Sequence, residues 1–203
     1  MKLMQAPYTS SWKHKMLSAT LCTITLVAAS AGTMLVNLKP AFAKAAQEHP
    51  LPTDVKGTPD ALIPAGGRKS APDFTLTDAQ GRPVTLSNYK GKVVLLDFWA
   101  TWCGGCKLEI PWYVEFDKRY RDKGLVVIGV SMDDEGMKIV KPFLEQKHID
   151  YPVVIGSEAL GQQFGLQSMP LTLLIDRNGK IAVSHAGVVD KDNFESHIQE
   201  LLQ

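Results

Sequence analysis

Two cysteines separated by two glycines, Cys103-Gly104-Gly105-Cys106, follow the apolar run Val93-Val94-Leu95-Leu96-Asp97-Phe98-Trp99 and precede Lys107-Leu108-Glu109-Ile110, which reads as helix. So continuous an apolar run is the pattern of a strand buried on both faces, in a parallel or mixed sheet covered by helices. The cysteines therefore stand at a strand-to-helix junction. There the first helical N–H groups lack internal partners and the positive end of the helix dipole favours thiolate over thiol. Cys103 is the expected nucleophile. Cys106, one turn further in, is near enough to close a disulfide and more shielded, as a resolving thiol should be. A structural staple across so short a loop would add little stability. A zinc site needs four ligands, and the sequence offers neither a second C-x-x-C nor two histidines at ligand spacing. Redox exchange is the chemistry this spacing favours. Asp97, the one polar residue of the strand, is the candidate base: desolvation raises a buried carboxyl's pKa, which suits a group that must take up a proton near neutral pH. A pleat that turned Asp97 to a solvated edge would remove that role.

The flanking elements must position these groups. Phe74-Thr75-Leu76-Thr77 and Pro83-Val84-Thr85-Leu86 read as a hairpin around Gly81, and Ser87 to Gly91 as a helical turn feeding the catalytic strand. After Cys106, Leu108, Trp112, Phe116 and Tyr120 form a stripe expected to face the core. Leu125 to Val130 is a second apolar strand, and Asp133 and Asp134 precede a helix carrying Met137, Val140, Phe143 and Leu144. Tyr151 to Ile155 reads as an edge strand because of Pro152, and Leu160 to Phe164 as a short helix. Met169-Pro170 opens another strand, and Asn178-Gly179 is a two-residue hairpin signal leading into Lys180 to Val183. Asp192 and Glu195 suggest a capping box for a last helix with Phe194, Ile198, Leu201 and Leu202 on one face. His197 lies at the margin of that face. The order is β-β-β-α-β-α-β-α-β-β-α.

The segment Asp97-Phe98-Trp99-Ala100-Thr101-Trp102-Cys103-Gly104-Gly105-Cys106-Lys107 resembles the active site of the thioredoxin superfamily. Glu109, Pro111 and the upstream Ala71-Pro72-Asp73-Phe74-Thr75-Leu76 resemble its extracytoplasmic TlpA/ResA-like branch, which is related to the redoxins. The resemblance covers about residues 72–203. It implies an α/β thioredoxin-like three-layer sandwich with a central mixed sheet, an N-terminal β-hairpin extension and an inserted helix-strand element. It also implies that Pro170 is cis and faces the cysteines, that Met169 offers its backbone to a bound substrate strand, and that Trp102 forms a platform beside them. Glu109 matches a glutamate held to influence thiol ionisation; a solvated helix charge is the other reading. The chain departs from the pattern in its Gly-Gly dipeptide and in carrying Asp97 where many TlpA/ResA-like relatives have a neutral residue. The lysine that partners such an aspartate in thioredoxin is absent from residues 125–132.

The implied function is thiol-disulfide exchange on protein disulfides, without a cofactor or metal, most naturally as a reductant of exported cysteines such as those of apocytochrome c or copper sites, fed by a membrane electron donor. Three alternatives stay open: a disulfide-forming oxidant, a thiol peroxidase and a copper-delivery protein. The peroxidase would need a Pro-x-x-x-Thr-x-x-Cys arrangement, and here Thr101 stands two before Cys103. Copper delivery would use C-x-x-x-C with a histidine, and His185 is expected after the last strand, at the surface or in the core.

Lys2, Lys13 and Lys15 precede the uncharged residues 16–38, and Ala41-Phe42-Ala43 offers a cleavage site. Residues 1–43 are thus expected to be a signal peptide or a retained membrane anchor that places the rest outside the cytoplasm, in the periplasm or tethered to the inner membrane. Cys22 lies within that stretch as an apolar filler. Residues 44–70, rich in proline and glycine and including His49, read as a flexible linker, and 71–203 as the catalytic domain. The 203 residues carry a net charge of +1. After Ala43, 18 basic residues face 21 acidic ones, a net of −3, so no basic face for nucleic acid is implied. A monomer is expected.

Overall fold

A computed structural model describes residues 61–203. The expected export segment 1–43, with Cys22, and the linker as far as residue 60, with His49, lie outside the described residues. Among the described residues no helix is long and apolar enough to cross a membrane.

A five-stranded mixed sheet is built from β3 (Val93–Trp99), β4 (Leu125–Ser131), β5 (Val153–Ile155), β6 (Leu171–Ile175) and β7 (Ile181–Ala186), in the order β5-β4-β3-β6-β7. The first three run parallel; β6 pairs antiparallel with β3, and β7 antiparallel with β6. Every residue of β3 is buried, so the apolar run marks the centre of the sheet, as its composition requires. Strand alternation sends Val93, Leu95, Asp97 and Trp99 to one face and Val94, Leu96 and Phe98 to the other. On the first face pack α1 (Gly104–Tyr120), α2 (Met137–Lys147) and α4 (Lys191–Leu202), through Ile110, Tyr113, Phe116, Val140, Phe194 and Ile198. The second face is covered by α3 (Glu158–Gln163) and the separate hairpin of β1 (Thr75–Thr77) and β2 (Pro83–Thr85), with Phe74, Val84, Leu86 and Phe164 inside. This is the thioredoxin-like α/β sandwich with an N-terminal hairpin. Trp99, Tyr113, Phe98 and Phe116 are fully buried, each contributing about 2–3 kcal/mol.

Both sheet edges are covered, which keeps their free backbone groups from pairing elsewhere. Ala79 N–H donates to Val153 O on the β5 side. On the β7 side, Ile63 N–H donates to Ala182 O and Ile181 N–H to Lys69 O. Arg68 adds an ion pair with Asp176 at 3.0 Å. The last residues of the expected linker, Ile63 to Ser70, are therefore held against the domain rather than free of it.

Four further expectations need correction. Helix α1 starts at Gly104, ahead of Lys107, and buries Cys106, Glu109, Ile110, Tyr113, Phe116, Asp117 and Tyr120. Leu108 is exposed, because the buried face is centred on Cys106 and Glu109 and includes polar residues that an apolar stripe overlooks. The turn between β6 and β7 has three residues, not two: Asp176 N–H pairs with Lys180 O, while the Asp176 carboxylate accepts from Asn178 N–H and Lys180 N–H. Gly179 takes the left-handed φ of +76° that closes such a loop. Helix α4 is capped by Asp190, which accepts from Asn193 N–H at 2.9 Å. The proposed box partner Glu195 instead binds Arg119 and Tyr120. Finally, β7 extends to Ala186, which places His185 within the sheet rather than after it.

Candidate active site

Cys103 is the N-cap of α1, and its Sγ accepts from Cys106 N–H at 3.2 Å. Cys103 and Cys106 are joined in a disulfide with Cα atoms 5.4 Å apart, within the ordinary span. Both cysteines are buried, Cys106 fully and Cys103 with 6% of its surface exposed. The first turn of α1 carries no acidic residue that would offset the dipole's preference for thiolate at Cys103.

Asp133, 2% exposed, fixes the approach to Cys103. Its carboxylate accepts from Thr101 N–H at 2.9 Å, from Thr101 Oγ1 at 2.7 Å and from Ser131 Oγ at 2.8 Å. Together with Met132 N–H donating to Trp99 O at 2.8 Å, this ties the turn after β3 to the end of β4. The sequence signal was available in Ser131-Met132-Asp133, since a polar pair at the C-terminal end of a buried strand needs partners.

Trp102 is 66% exposed beside the cysteines. The Met169-Pro170 bond is cis. The Pro170 ring lies against Gly105, where a Cβ would come within 3.3 Å of its Cδ. Met169 is half-buried against the cluster that contains both cysteines.

Two carboxyl groups lie in the core. Asp97 is 1% exposed on the face covered by α1. Across the sheet its neighbours on one rung are Thr172 of β6 and then His185 of β7. Thr172 Oγ1 reaches Asp97 Oδ1 only at 3.5 Å, a weak contact, and also meets Tyr113 Oη at 2.9 Å. Asp97 Oδ2 has no protein hydrogen-bond partner. Burial, with the Glu109 charge adding to it, pushes the Asp97 carboxyl well above the ordinary range, against a small opposing pull from Thr172. Glu109, one helical turn beyond Cys106, is fully buried, so it is not a solvated helix charge. Its Oε1 accepts from Val189 N–H at 2.8 Å. Burial raises it to about 7, opposed by the Val189 N–H, the nearby Tyr113 hydroxyl and the charge of His185. Tyr113 is held protonated by burial and by the charges of Asp97 and Glu109. Because the Glu109 charge adds to the burial of Asp97, the two carboxyls resist ionising together.

The structure thus brings Cys103, Cys106, Trp102, Met169 and Pro170 together at one end of the sheet, with Glu109 buried one helical turn beyond Cys106 and Asp97 buried on the sheet face that α1 covers. Asp133, Tyr113, Thr172 and His185 complete the surroundings. Tyr113 stands four residues from Glu109 and seven from Cys106, a spacing that places all three on one helix face. Among the described residues no group of three or more Cys, His, Asp or Glu could hold a metal ion.

Comparison with known proteins points the same way. The Redoxin family model matches residues 66–202. The thiol-disulfide oxidoreductase ResA of Bacillus thuringiensis subsp. konkukian is 34% identical over 135 residues, covering 66% of this chain and 77% of the relative. The thioredoxin-like protein YneN of Bacillus subtilis is 32% identical over 131 residues, 64% of this chain and 77% of the relative. A solved structure from Chlorobium tepidum named for the thiol:disulfide interchange protein DsbE shares 35% identity and a TM-score of 0.63, covering 67% of this chain and 97% of that one. A C-x-x-C disulfide at a helix N-terminus, on a thioredoxin-like sheet and among such relatives, makes this chain a member of the Redoxin family and a ResA-like thiol-disulfide oxidoreductase.

Proposed function

We propose that the protein is an exported reductant of protein disulfides, with cysteine pairs of apocytochrome c or copper-site type among its targets. The observation that carries the reading is the asymmetry of the pair: Cys103 is the N-cap of the helix and keeps 6% exposure, while Cys106 is fully buried one helical turn from Glu109, whose raised carboxyl also acts on that of Asp97. Cys103 thiolate attacks a partner disulfide, forms the mixed disulfide and expels one partner thiolate. Cys106 then gives its proton to the Asp97/Glu109 pair and attacks Cys103 Sγ, releasing the second partner thiolate and closing the 103–106 disulfide. Trp102, Met169 and Pro170 form the seat for the partner chain. The oxidised pair must next be re-reduced by a donor, and the lysine-flanked apolar segment 16–38 supports a membrane location for both donor and protein. The absence of histidine from the dipeptide, Gly104-Gly105, argues against an oxidant.

The test is the reduction potential of the Cys103/Cys106 couple, measured by equilibration with glutathione or dithiothreitol buffers, together with trapping. A potential near that of thioredoxin, with Cys106→Ser accumulating mixed disulfides and Cys103→Ser accumulating none, supports the assignment. A potential close to that of strong oxidants would reverse the direction, and free release of partners by Cys106→Ser would overturn the nucleophile and resolver roles.

A further inference from the structure

Gly187, Val188 and Val189 form a loop between β7 and α4 that borders the disulfide. Gly187 N–H donates to Pro170 O at 2.8 Å, and its φ of +99° suits glycine. The Val188 side chain lies over Gly105, where an added Cβ would meet Val188 Cγ2 at 2.9 Å. The peptide group joining Val188 to Val189 is gripped at both ends. Its N–H donates to Glu109 Oε1 at 2.8 Å, and its carbonyl lies 3.2 Å from His185 Nε2. A carbonyl can only accept, so that ring nitrogen carries a proton here. His185, half-exposed, is also on the rung that runs through Thr172 to Asp97.

We infer that His185 is a positioning residue for Glu109, acting through the Val188–Val189 peptide group. A hydrogen bond to the carbonyl polarises the peptide and makes its N–H a stronger donor, as in any chain of linked hydrogen bonds. The stronger N–H steadies the Glu109 carboxylate, and an imidazolium at His185 adds direct attraction across the peptide. Glu109 is thereby kept able to accept the Cys106 proton, although it lies in a dry core. The same grip holds Val188 over Gly105, so the ionisation of Glu109 and the shape of the surface beside the cysteines are set by one peptide group. The other ionisable groups facing Glu109 are Tyr113 on its own helix and Asp97 on β3. Neither reaches the Val188 carbonyl by a hydrogen bond among those described, so a change at His185 acts on the peptide and on Glu109 without removing them. The inference deepens the role given to Glu109 in the proposed mechanism and does not depend on the direction of electron flow.

The experiment follows the Glu109 carboxyl itself, by carbon NMR of the full-length protein labelled at glutamate side chains, with the signal identified by its loss in Glu109→Gln. His185→Phe should move the Glu109 titration midpoint upward by half a pH unit or more. His185→Gln, which restores an N–H donor without the charge, should recover part of that shift. The pH dependence of mixed-disulfide resolution should move in the same direction as the carboxyl. An unchanged midpoint in both variants would overturn the inference, as would equal shifts in Phe and Gln variants that leave the Val189 amide signal unmoved. Because the titration is read without a substrate, a wrong assignment of reductant against oxidant would leave its outcome intact.

Discussion

Replacing Glu109 by glutamine should make the protein more stable above neutral pH while slowing its chemistry. The Glu109 carboxyl is raised from an ordinary 4.5 to about 7, chiefly by burial. A group that binds its proton more tightly in the folded than in the unfolded chain favours folding at low pH. That contribution is fully present below the unfolded value and is lost as pH rises through the folded one. The native state therefore loses stability across the window from 4.5 to about 7, by an amount on the order of 3 kcal/mol at one pKa unit per 1.36 kcal/mol. Glutamine has the same shape, and its amide oxygen can still accept from Val189 N–H, so the loop contact survives while the buried charge does not.

Glu109→Gln should thus match the wild type near pH 4.5 and exceed it by up to about 3 kcal/mol near pH 8. Urea unfolding of the oxidised protein at intervals between these pH values checks it, since a change in midpoint at constant slope is a change in stability. Asp97 leaves a residual pH dependence of the same sign, because its carboxyl is also raised. Parallel stability curves for wild type and variant would refute the reasoning, for they would mean that Glu109 meets enough water in the folded state to ionise without cost.

Two further substitutions probe the surroundings. Asp97→Asn should lengthen the lifetime of the mixed disulfide more than it slows Cys103 attack, and equal lifetimes at every pH would remove Asp97 from proton transfer. Asp133→Ala strips the acceptor from Thr101 N–H, Thr101 Oγ1 and Ser131 Oγ; it should cost roughly 2–4 kcal/mol in urea unfolding and alter Cys103 alkylation rates, and an unchanged rate would show that the turn before Cys103 is held without Asp133.

The central strand and its acid were legible because both follow from one period. An apolar run broken only at Asp97 has to be buried on both faces, and alternation then carries Asp97 inward with Leu95 and Trp99. Helix α1 was less legible, since its buried face is partly polar: Glu109 and Asp117 lie inside while Leu108 lies outside. Apolar periodicity finds such a face only when the core contains no acids, and the burial of Glu109 and Asp117 breaks that condition. Local signals misled where a distant partner competed for the same group. Glu195 could have closed a capping box but is taken by Arg119 and Tyr120 on α1. Asp176 converts the Asn178-Gly179 turn into a three-residue loop by binding two backbone amides and, through its other oxygen, Arg68. His185 looked peripheral because nothing in the spacing of residues 180–186 shows how far β7 runs; its length is set by pairing with β6 up to Leu171 and Ala186.

The arrangement of the two acids explains why a core can hold them. Asp97 reaches the interior from the sheet and Glu109 from the helix above it, so each belongs to an element anchored by apolar contacts elsewhere, such as Leu95 and Trp99 on β3 and Ile110 and Phe116 on α1. The cost of burying them falls on their ionised forms alone, because a protonated carboxyl is a far cheaper guest in a dry interior than a carboxylate. That asymmetry is what the proposed proton transfer would use. In the proposed mechanism, when Cys106 loses its proton to attack Cys103 the carboxyl pair passes from the costly ionised form to the cheaper protonated one, so relief of the burial penalty offsets part of the work of ionising a buried thiol. Raising pH through the range in which Glu109 titrates increases the fraction of acceptor available, and lowering it fills the acceptor beforehand. On that mechanism, resolution of the mixed disulfide should slow as pH falls below about 7, in parallel with the gain in folding stability, because protonation of Glu109 contributes to both.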